Sequence, residues 1–318
     1  FCMRLPLYNS WLRSVTEADD DRLTGVDNSL SVPAKGVARG RMHGMYTALP
    51  TVGQLIWRWI ELHGISAKEL FAAQGIAEQD LQPQRDRIAI DELERVLASA
   101  LSLIDDNCCG LRASRCWHPS DLGALGYAWL ASSSIRAAVQ RLVRYSKTVG
   151  EKAELAAVES PQGFKVILDQ KHRDPRVHEF MTDFIMSLII DMCRFNAGAS
   201  LRPVEVCLHR ERPECAKRYT DFYGCEVQFS SEADSFTLTT DDADRPLPTS
   251  NKQLAGLHDQ VLIQQLAQLH REDISTRCKS VILDNLTSGA ISVEKVAQEL
   301  HMSPRTLMRR LESQGTKL

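Results

Sequence analysis

The stretch ISVEKVAQELHMSPRTLMRRL, residues 291–311, decides how the rest of the chain is read. Ser292 stands where a helix needs an N-cap, its hydroxyl able to accept from an otherwise unpaired N–H of the first turn. Val293, Val296, Ala297 and Leu300 follow at i, i+3, i+4 and i+7, one apolar face of a helix. The pattern breaks at His301-Met302. Ser303-Pro304 then supplies a second cap, with proline at the first helical position, where its missing N–H costs nothing. Leu307 and Leu311 form an apolar i, i+4 pair, while Arg305, Met308, Arg309 and Arg310 point elsewhere. Ala297 is small where the two helices should cross. From His301 to Leu318 there are four cations (Arg305, Arg309, Arg310, Lys317) against one acid (Glu312), a local +3 on a chain that is −3 overall. These features predict a helix-turn-helix; the plain alternative is a helical hairpin that closes a domain.

Working outward, 318 residues suffice for two domains, a sensing or enzymatic body ahead of a small terminal unit. The 43% hydrophobic and 25% charged content is that of an ordinary globular protein. A near-neutral balance confines any nucleic-acid contact to a local patch. The nine cysteines are odd in number and scattered, with no CxxC pair. That usage suits buried free thiols in a reducing cytoplasm better than a disulfide framework. No run of about 18 apolar residues predicts a transmembrane helix, and the opening FCMRLPLYNSWL is too polar for a signal-peptide core.

Residues 1–47 carry an acidic run and no lasting periodicity, which reads as a poorly ordered extension, with Met42 or Met45 as candidate initiators. Organised sequence begins at Leu49. Helices are predicted from Val52 to the stop at Gly64, from the Ser66 cap to Gly75, over 90–103, over 122–129 with two glycines three apart, and from the Ser134 cap onward. Arg136, Arg141 and Arg144 lie largely opposite the apolar face of that last helix, as a solvated face. The period then changes to two strand-like runs, 153–159 and 164–171, around Ser160-Pro161-Gln162-Gly163, a hairpin signal. A long helix opens at Pro175, a strand is expected over 203–208, a short helix ends at Gly224, and two more strands follow at 225–229 and 235–239. Residues 48–250 thus form an α+β, helical and mixed α/β unit of a size suited to sensing. The prolines of 241–251 suggest a linker. Residues 251–270 make a further helix, with Leu254, Leu257, Val261, Leu262 and Leu266, that either dimerises or packs back on the domain. A helix over 277–286 leads into the all-α helix-turn-helix segment, 271–318.

At this point a resemblance emerges. AISVEKVAQELHMSPRTLMRRLESQGTKL resembles the first half of the DNA-binding domain of AraC/XylS-family transcription regulators, through Ala297, Leu300-His301-Met302-Ser303, Leu307, Arg309 and Gly315-Thr316. Upstream, DLGALGYAWLASSSIRAAVQRLVRY, FYGCEVQF and Asp244-Arg245-Pro246-Leu247-Pro248 resemble the arabinose-binding-like effector domain of the subgroup containing ornithine-utilisation regulators. His301 replaces the family's usual glycine at a position tending to positive φ, which histidine visits at some cost. Leu311 replaces a usual phenylalanine. Family members continue with a connecting helix and a second helix-turn-helix, so the resemblance implies a chain cut inside its DNA-binding domain. A ligand-sensing or dimerising module without competent specific DNA binding is the matching alternative.

The resemblance implies operator recognition by the second helix in the major groove of double-stranded DNA, biased by a small-molecule effector or by homodimerisation, with RNA polymerase as a further partner of the full-length protein. The DNA-binding candidates are Ser303, Arg305, Thr306, Met308, Arg309 and Arg310. Arg305, Met308 and Arg309 would face base edges, and Arg310 and Lys317 phosphates. Effector candidates are Trp117, Tyr127, Tyr145, His178 and Arg194, aromatic and polar groups from which a pocket could be built, although aromatics at helical spacing more often serve a core. Arg194 could meet a carboxylate or cap a helix C-terminus. An enzyme built on Cys116, His118 and Asp121 lacks any supporting phosphate loop, metal spacing or nucleophile elbow. A metal or haem site from Cys108, Cys109, Cys116 and His118 lacks a known zinc spacing. No cofactor or metal is expected.

Overall fold

The computed structural model describes residues 46–170, 172, 174–272, 278, 281–282 and 292–313. Elements are numbered among these. β1 (Thr47–Ala48) pairs with β2 (Ile88–Ala89), and between them lie α1 (Pro50–Leu62) and α2 (Ala67–Ala73). Leu55, Ile56, Trp59 and Ile60 of α1 are buried, the face the apolar spacing requires. Gly64 is left-handed at φ 73° after the α1 terminus, and Ser66 Oγ accepts from Glu69 N–H at 3.4 Å to open α2. α3 (Ile90–Leu103) has the predicted bounds. Thr47 belongs to the ordered fold, two residues ahead of the expected start, because β1 pairs with a strand 40 residues away, a partner that no local pattern reveals.

Two 3₁₀ segments, Cys109–Cys116 and Pro119–Leu122, lead to α4 (Ala124–Leu130) and α5 (Ile135–Val149), the latter capped by Ser134 Oγ accepting from Ala137 N–H at 3.2 Å. Gly126 explains the paired glycines: a Cβ there would lie 1.8 Å from the Pro119 carbonyl oxygen. β3 (Ala153–Ser160) and β4 (Gly163–Gln170) form the expected hairpin around Pro161-Gln162, with Ser160 opposite Gly163. α6 (Pro175–Ala197) opens on Asp174, whose side chain accepts from Arg176 N–H, and packs on the Cys109–Cys116 segment. β5 (Glu205–Cys207), α7 (Lys217–Tyr223), β6 (Val227–Gln228) and β7 (Asp234–Leu238) complete a five-stranded mixed sheet in the order β3-β4-β7-β5-β6. Phe164, Val166 and Leu168 of β4 are buried while Lys165 and Ile167 are less so, the alternation of a sheet with one face on a core. The fold is α+β, as the pattern predicts.

Residues 241–251 do not behave as a linker. They contain most of α8 (Thr240–Asp244), bury Ala243 and Leu247, and are tied down by Leu247 N–H to the Ser133 carbonyl (2.9 Å) and Asn251 N–H to the Ala131 carbonyl (3.0 Å). Proline signals a chain that leaves helix, not a chain that leaves the domain. α9 (Lys252–Glu272) lies along α4 and α5, burying Ala255 and Leu262. Arg144 of α5 is exposed, as expected, but Arg136 and Arg141 depart from a solvated face. Arg141 pairs with Asp259 of α9 at 3.0 Å and donates to Ser132 Oγ, and Arg136 pairs with Asp244 at 2.6 Å and with Glu159. Their acidic partners come from elements distant in sequence.

α10 (Val293–Glu299) and α11 (Pro304–Ser313) form the helical pair. Their small core is Val296, Ala297, Leu300, Leu307 and Leu311, joined by Cys278, with Val281 and Ile282 packed against it. The preceding helix predicted over 277–286 is described at Cys278, Val281 and Ile282; its remainder, Gly315-Thr316 and Lys317 lie outside the described residues, as do residues 1–45.

Candidate functional site

Both caps of the helical pair form as the residue types require. Ser292 Oγ accepts from Lys295 N–H at 3.2 Å, and Ser303 Oγ accepts from Thr306 N–H at 3.1 Å while contacting Thr306 Oγ1 at 2.8 Å. His301 sits at φ 55°, the left-handed conformation expected there, and Met302 N–H returns to the Ala297 carbonyl at 2.9 Å to close the turn. Ala297 is fully buried in the small core between the two helices, where its short side chain allows a close approach. Along α11, residues advance about 100° each, so burying Leu307 and Leu311 turns Arg305 and Arg309 to the opposite side. Both are exposed, with no ion pair among the described residues; Met308 and Thr306 lie at the flanks, half-buried. The side chain of Arg310 lies outside the described residues. A helix of ten residues is about 15 Å long, and this face runs along it.

The five effector candidates are not brought together. Trp117 meets Phe195 edge-on at 6.0 Å. Tyr127 is 43% exposed and stacks on His258 of α9 at 5.5 Å. Tyr145 lines a cavity of about 310 Å³ with Arg144, Ile263, Leu266 and Ala267, where α5 meets α9. His178 lies near the opposite end of α6 from Arg194, 6.0 Å from the His172 ring; burial, then the neighbouring His172, holds its imidazole below the ordinary value. Arg194 caps a helix C-terminus, though not its own: it donates to the Phe222 carbonyl at 2.7 Å and the Tyr223 carbonyl at 3.4 Å, the end of α7. It also pairs with Asp191 at 3.1 Å.

His118 and Asp121 are occupied structurally. The Asp121 carboxylate accepts from His118 N–H at 2.7 Å and from Arg58, and His118 Nδ1 meets Ser120 Oγ at 2.7 Å. Burial pushes the Cys116 thiol up, away from the thiolate a nucleophile needs. The expected framework of free thiols is corrected at one place: Cys108 and Cys215 form a disulfide across 107 residues. Asp106 lies beside them, its carboxylate and the two sulfurs within 4.8 Å of one another.

One buried polar cluster was not expected. Asp183 of α6 is 1% exposed, and its Oδ2 accepts from Tyr219 Oη at 2.6 Å and Arg210 Nη1 at 2.8 Å. Arg210 also donates to the Asn107 carbonyl at 3.3 Å and pairs with Glu179 at 2.8 Å. Burial raises the Asp183 carboxyl to about 7 against the attraction of Arg210. The one trace in the sequence is an acid beside the apolar stripe of α6, between Met181 and Phe184; its partners come from α7 and the β5–α7 connection.

An α+β domain followed by a capped helical pair, with Arg305 and Arg309 exposed on the second helix, is the setting in which similarity to known proteins shows the class of a transcription regulator. The chain belongs to the family described as "Arabinose-binding domain of AraC transcription regulator, N-term", whose model matches residues 64–247. It is 26% identical over 264 residues to the Ornithine utilization regulator of Pseudomonas aeruginosa, covering 80% of this chain and 75% of that relative. It is also similar to the crystal structure of the transcriptional regulator CdpR from Pseudomonas aeruginosa, with a TM-score of 0.49, 18% identity, and coverage of 83% of this chain and 80% of that one. Among the described residues, no helix is long and apolar enough to cross a membrane.

Proposed function

We propose that this chain is a DNA-binding transcription regulator in which α11 reads an operator, with residues 48–250 as the effector-responsive part, 251–270 as a dimerisation helix and 271–318 as the DNA-binding segment. The observation that carries this reading is the pairing of Arg305 and Arg309 on the exposed side of α11, opposite Leu307 and Leu311. A guanidinium so placed can hold guanine O6 and N7 bidentately, and Met308 can pack on a thymine methyl. Arg310 and Lys317 serve the phosphates, which position the helix without reading sequence, and Ser303 and Thr306 stand at the start of the same helix. Arg309→Ala should cost about 1–3 kcal/mol of operator affinity and relax one base position, measured by fluorescence anisotropy at fixed salt on DNA recovered from a genomic selection. Equal weakening on operator and random DNA would reduce Arg309 to a phosphate contact. No selected sequence bound above random DNA would sink the regulator reading.

The effector side rests on the family and on the relative's name, which connects that relative with ornithine utilization. Amino acids are therefore the first effectors to titrate. Tyr145 is the candidate that lines a described cavity, and that cavity touches α9, so filling it would bear on the helix proposed to dimerise.

A further inference from the structure

We propose that Cys108 and Cys215 are a reversible thiol–disulfide site, a clamp that fastens α7 to the 105–110 segment when oxidised and releases it when reduced. The two cysteines stand 107 residues apart in sequence, with Cα atoms 6.4 Å apart, inside the range of about 4.4–6.8 Å a disulfide spans. Neither end lies within a long element: Cys108 opens a 3₁₀ segment and Cys215 precedes α7 by two residues. Segments of that kind separate without unfolding a core helix or strand.

The bond is one of several parallel links between the same two pieces of chain. Arg218 of α7 holds both carboxylate oxygens of Asp106 at 2.8 Å, and Asp106 also accepts from Cys108 N–H at 2.9 Å. Arg210 ties Asn107 to Asp183 and Tyr219. The Arg218–Asp106 pair is largely exposed on the arginine side, 58%, and contributes little alone. The covalent link therefore dominates the outer edge of this junction, and the buried Asp183 cluster its inner edge. The remaining link at the outer edge yields once the sulfurs part.

Access is asymmetric. Cys108 is 1% exposed and Cys215 is half-buried, so an incoming low-molecular-weight thiolate reaches the Cys215 sulfur first. Attack there forms a mixed disulfide on Cys215 and expels the Cys108 thiolate, which takes a proton. A second thiol molecule attacks its own kind in the mixed disulfide, freeing Cys215. The balance is protein disulfide plus two small thiols giving protein dithiol plus one small disulfide. Cys109, next in sequence, does not compete: burial, with Asp106 and Asp183 adding to it, raises its thiol to about 12.

The full chain equilibrated with oxidised or with millimolar reduced glutathione would be alkylated and mapped by mass spectrometry, then followed by hydrogen exchange. Cys108 and Cys215 are expected to be protected together in the oxidised sample and labelled together in the reduced one. Exchange in 105–110 and 215–224 should quicken by roughly fivefold or more on reduction, with α10–α11 unchanged. Cys215→Ser should exchange like reduced wild type in either buffer. Should that variant fail to fold, the wild-type comparison decides alone. Independent labelling of the two sulfurs, a bond that persists in reduced glutathione, or exchange that does not respond to reduction would each overturn the clamp.

Discussion

Asp183 concentrates the chemistry at the residue scale. Its carboxyl stands near 7 because burial withdraws hydration that Arg210 and Tyr219 only partly replace; Oδ1 has no hydrogen bond among the described residues. An acid with a raised folded pKa binds more protons in the native state than in the unfolded one between about pH 4 and 7. Its contribution to stability is complete below that window and is lost as pH rises through it. Asp183→Asn keeps an acceptor for Tyr219 and removes the titration. The wild type should therefore lose stability relative to D183N as pH rises, by about 1.4 kcal/mol per pH unit at most. Urea midpoints at several pH values test this, and a pH-independent difference would refute it. Glu94 works the opposite way: burial would raise it, but hydrogen bonds from His172 and Lys152 outweigh that and lower it. Its stabilisation is present above the unfolded carboxylate range and is lost as pH falls.

At the scale of elements, α4 depends on one missing side chain. Gly126 lets the helix lie against the Pro119 carbonyl, and an alanine Cβ would stand 1.8 Å from that backbone oxygen. Gly126→Ala should cost about 3 kcal/mol or more, since backbone and not a flexible side chain must move. A chemical-denaturation midpoint within error of wild type would show that the contact is dispensable. α9 shows why its apolar stripe reads as untidy. Ala255 and Leu262 are buried on the α4 and α5 side, whereas Leu254, Leu257 and Val261 are exposed at three- and four-residue spacing. The same spacing next falls on Gln264 and Gln268, where this second stripe turns polar. Two apolar faces are superposed in one linear pattern, and packing separates them.

On the scale of the whole molecule, the second face of α9 is the surface that fits the proposed dimer. Seams with this spacing pair as coiled coils. Leu257→Glu with Val261→Glu should shift sedimentation from dimer to monomer while leaving a folded monomer with native far-UV circular dichroism, since both side chains are exposed in the monomer. A wild-type chain that stays monomeric at tens of micromolar, or a double variant that stays dimeric, would remove α9 from the interface.

What the sequence by itself determined is whatever is encoded within a turn or two of chain. The Ser292 and Ser303 caps, the left-handed turn at His301, the Pro161-Gln162 hairpin and the α3 bounds follow from side chains acting on their own backbone. The outward face of α11 was legible for the same reason, because Leu307 and Leu311 set its phase. Only the tertiary structure decided the partners of Arg136, Arg141 and Arg194, the Asp183 cluster, the fastening of 241–251 and the Cys108–Cys215 bond. Each joins groups brought near by the packing of α5, α6, α7 and α9. A charge or thiol carries no mark of a partner that lies tens of residues away, because its attraction is short-ranged and indifferent to chain order.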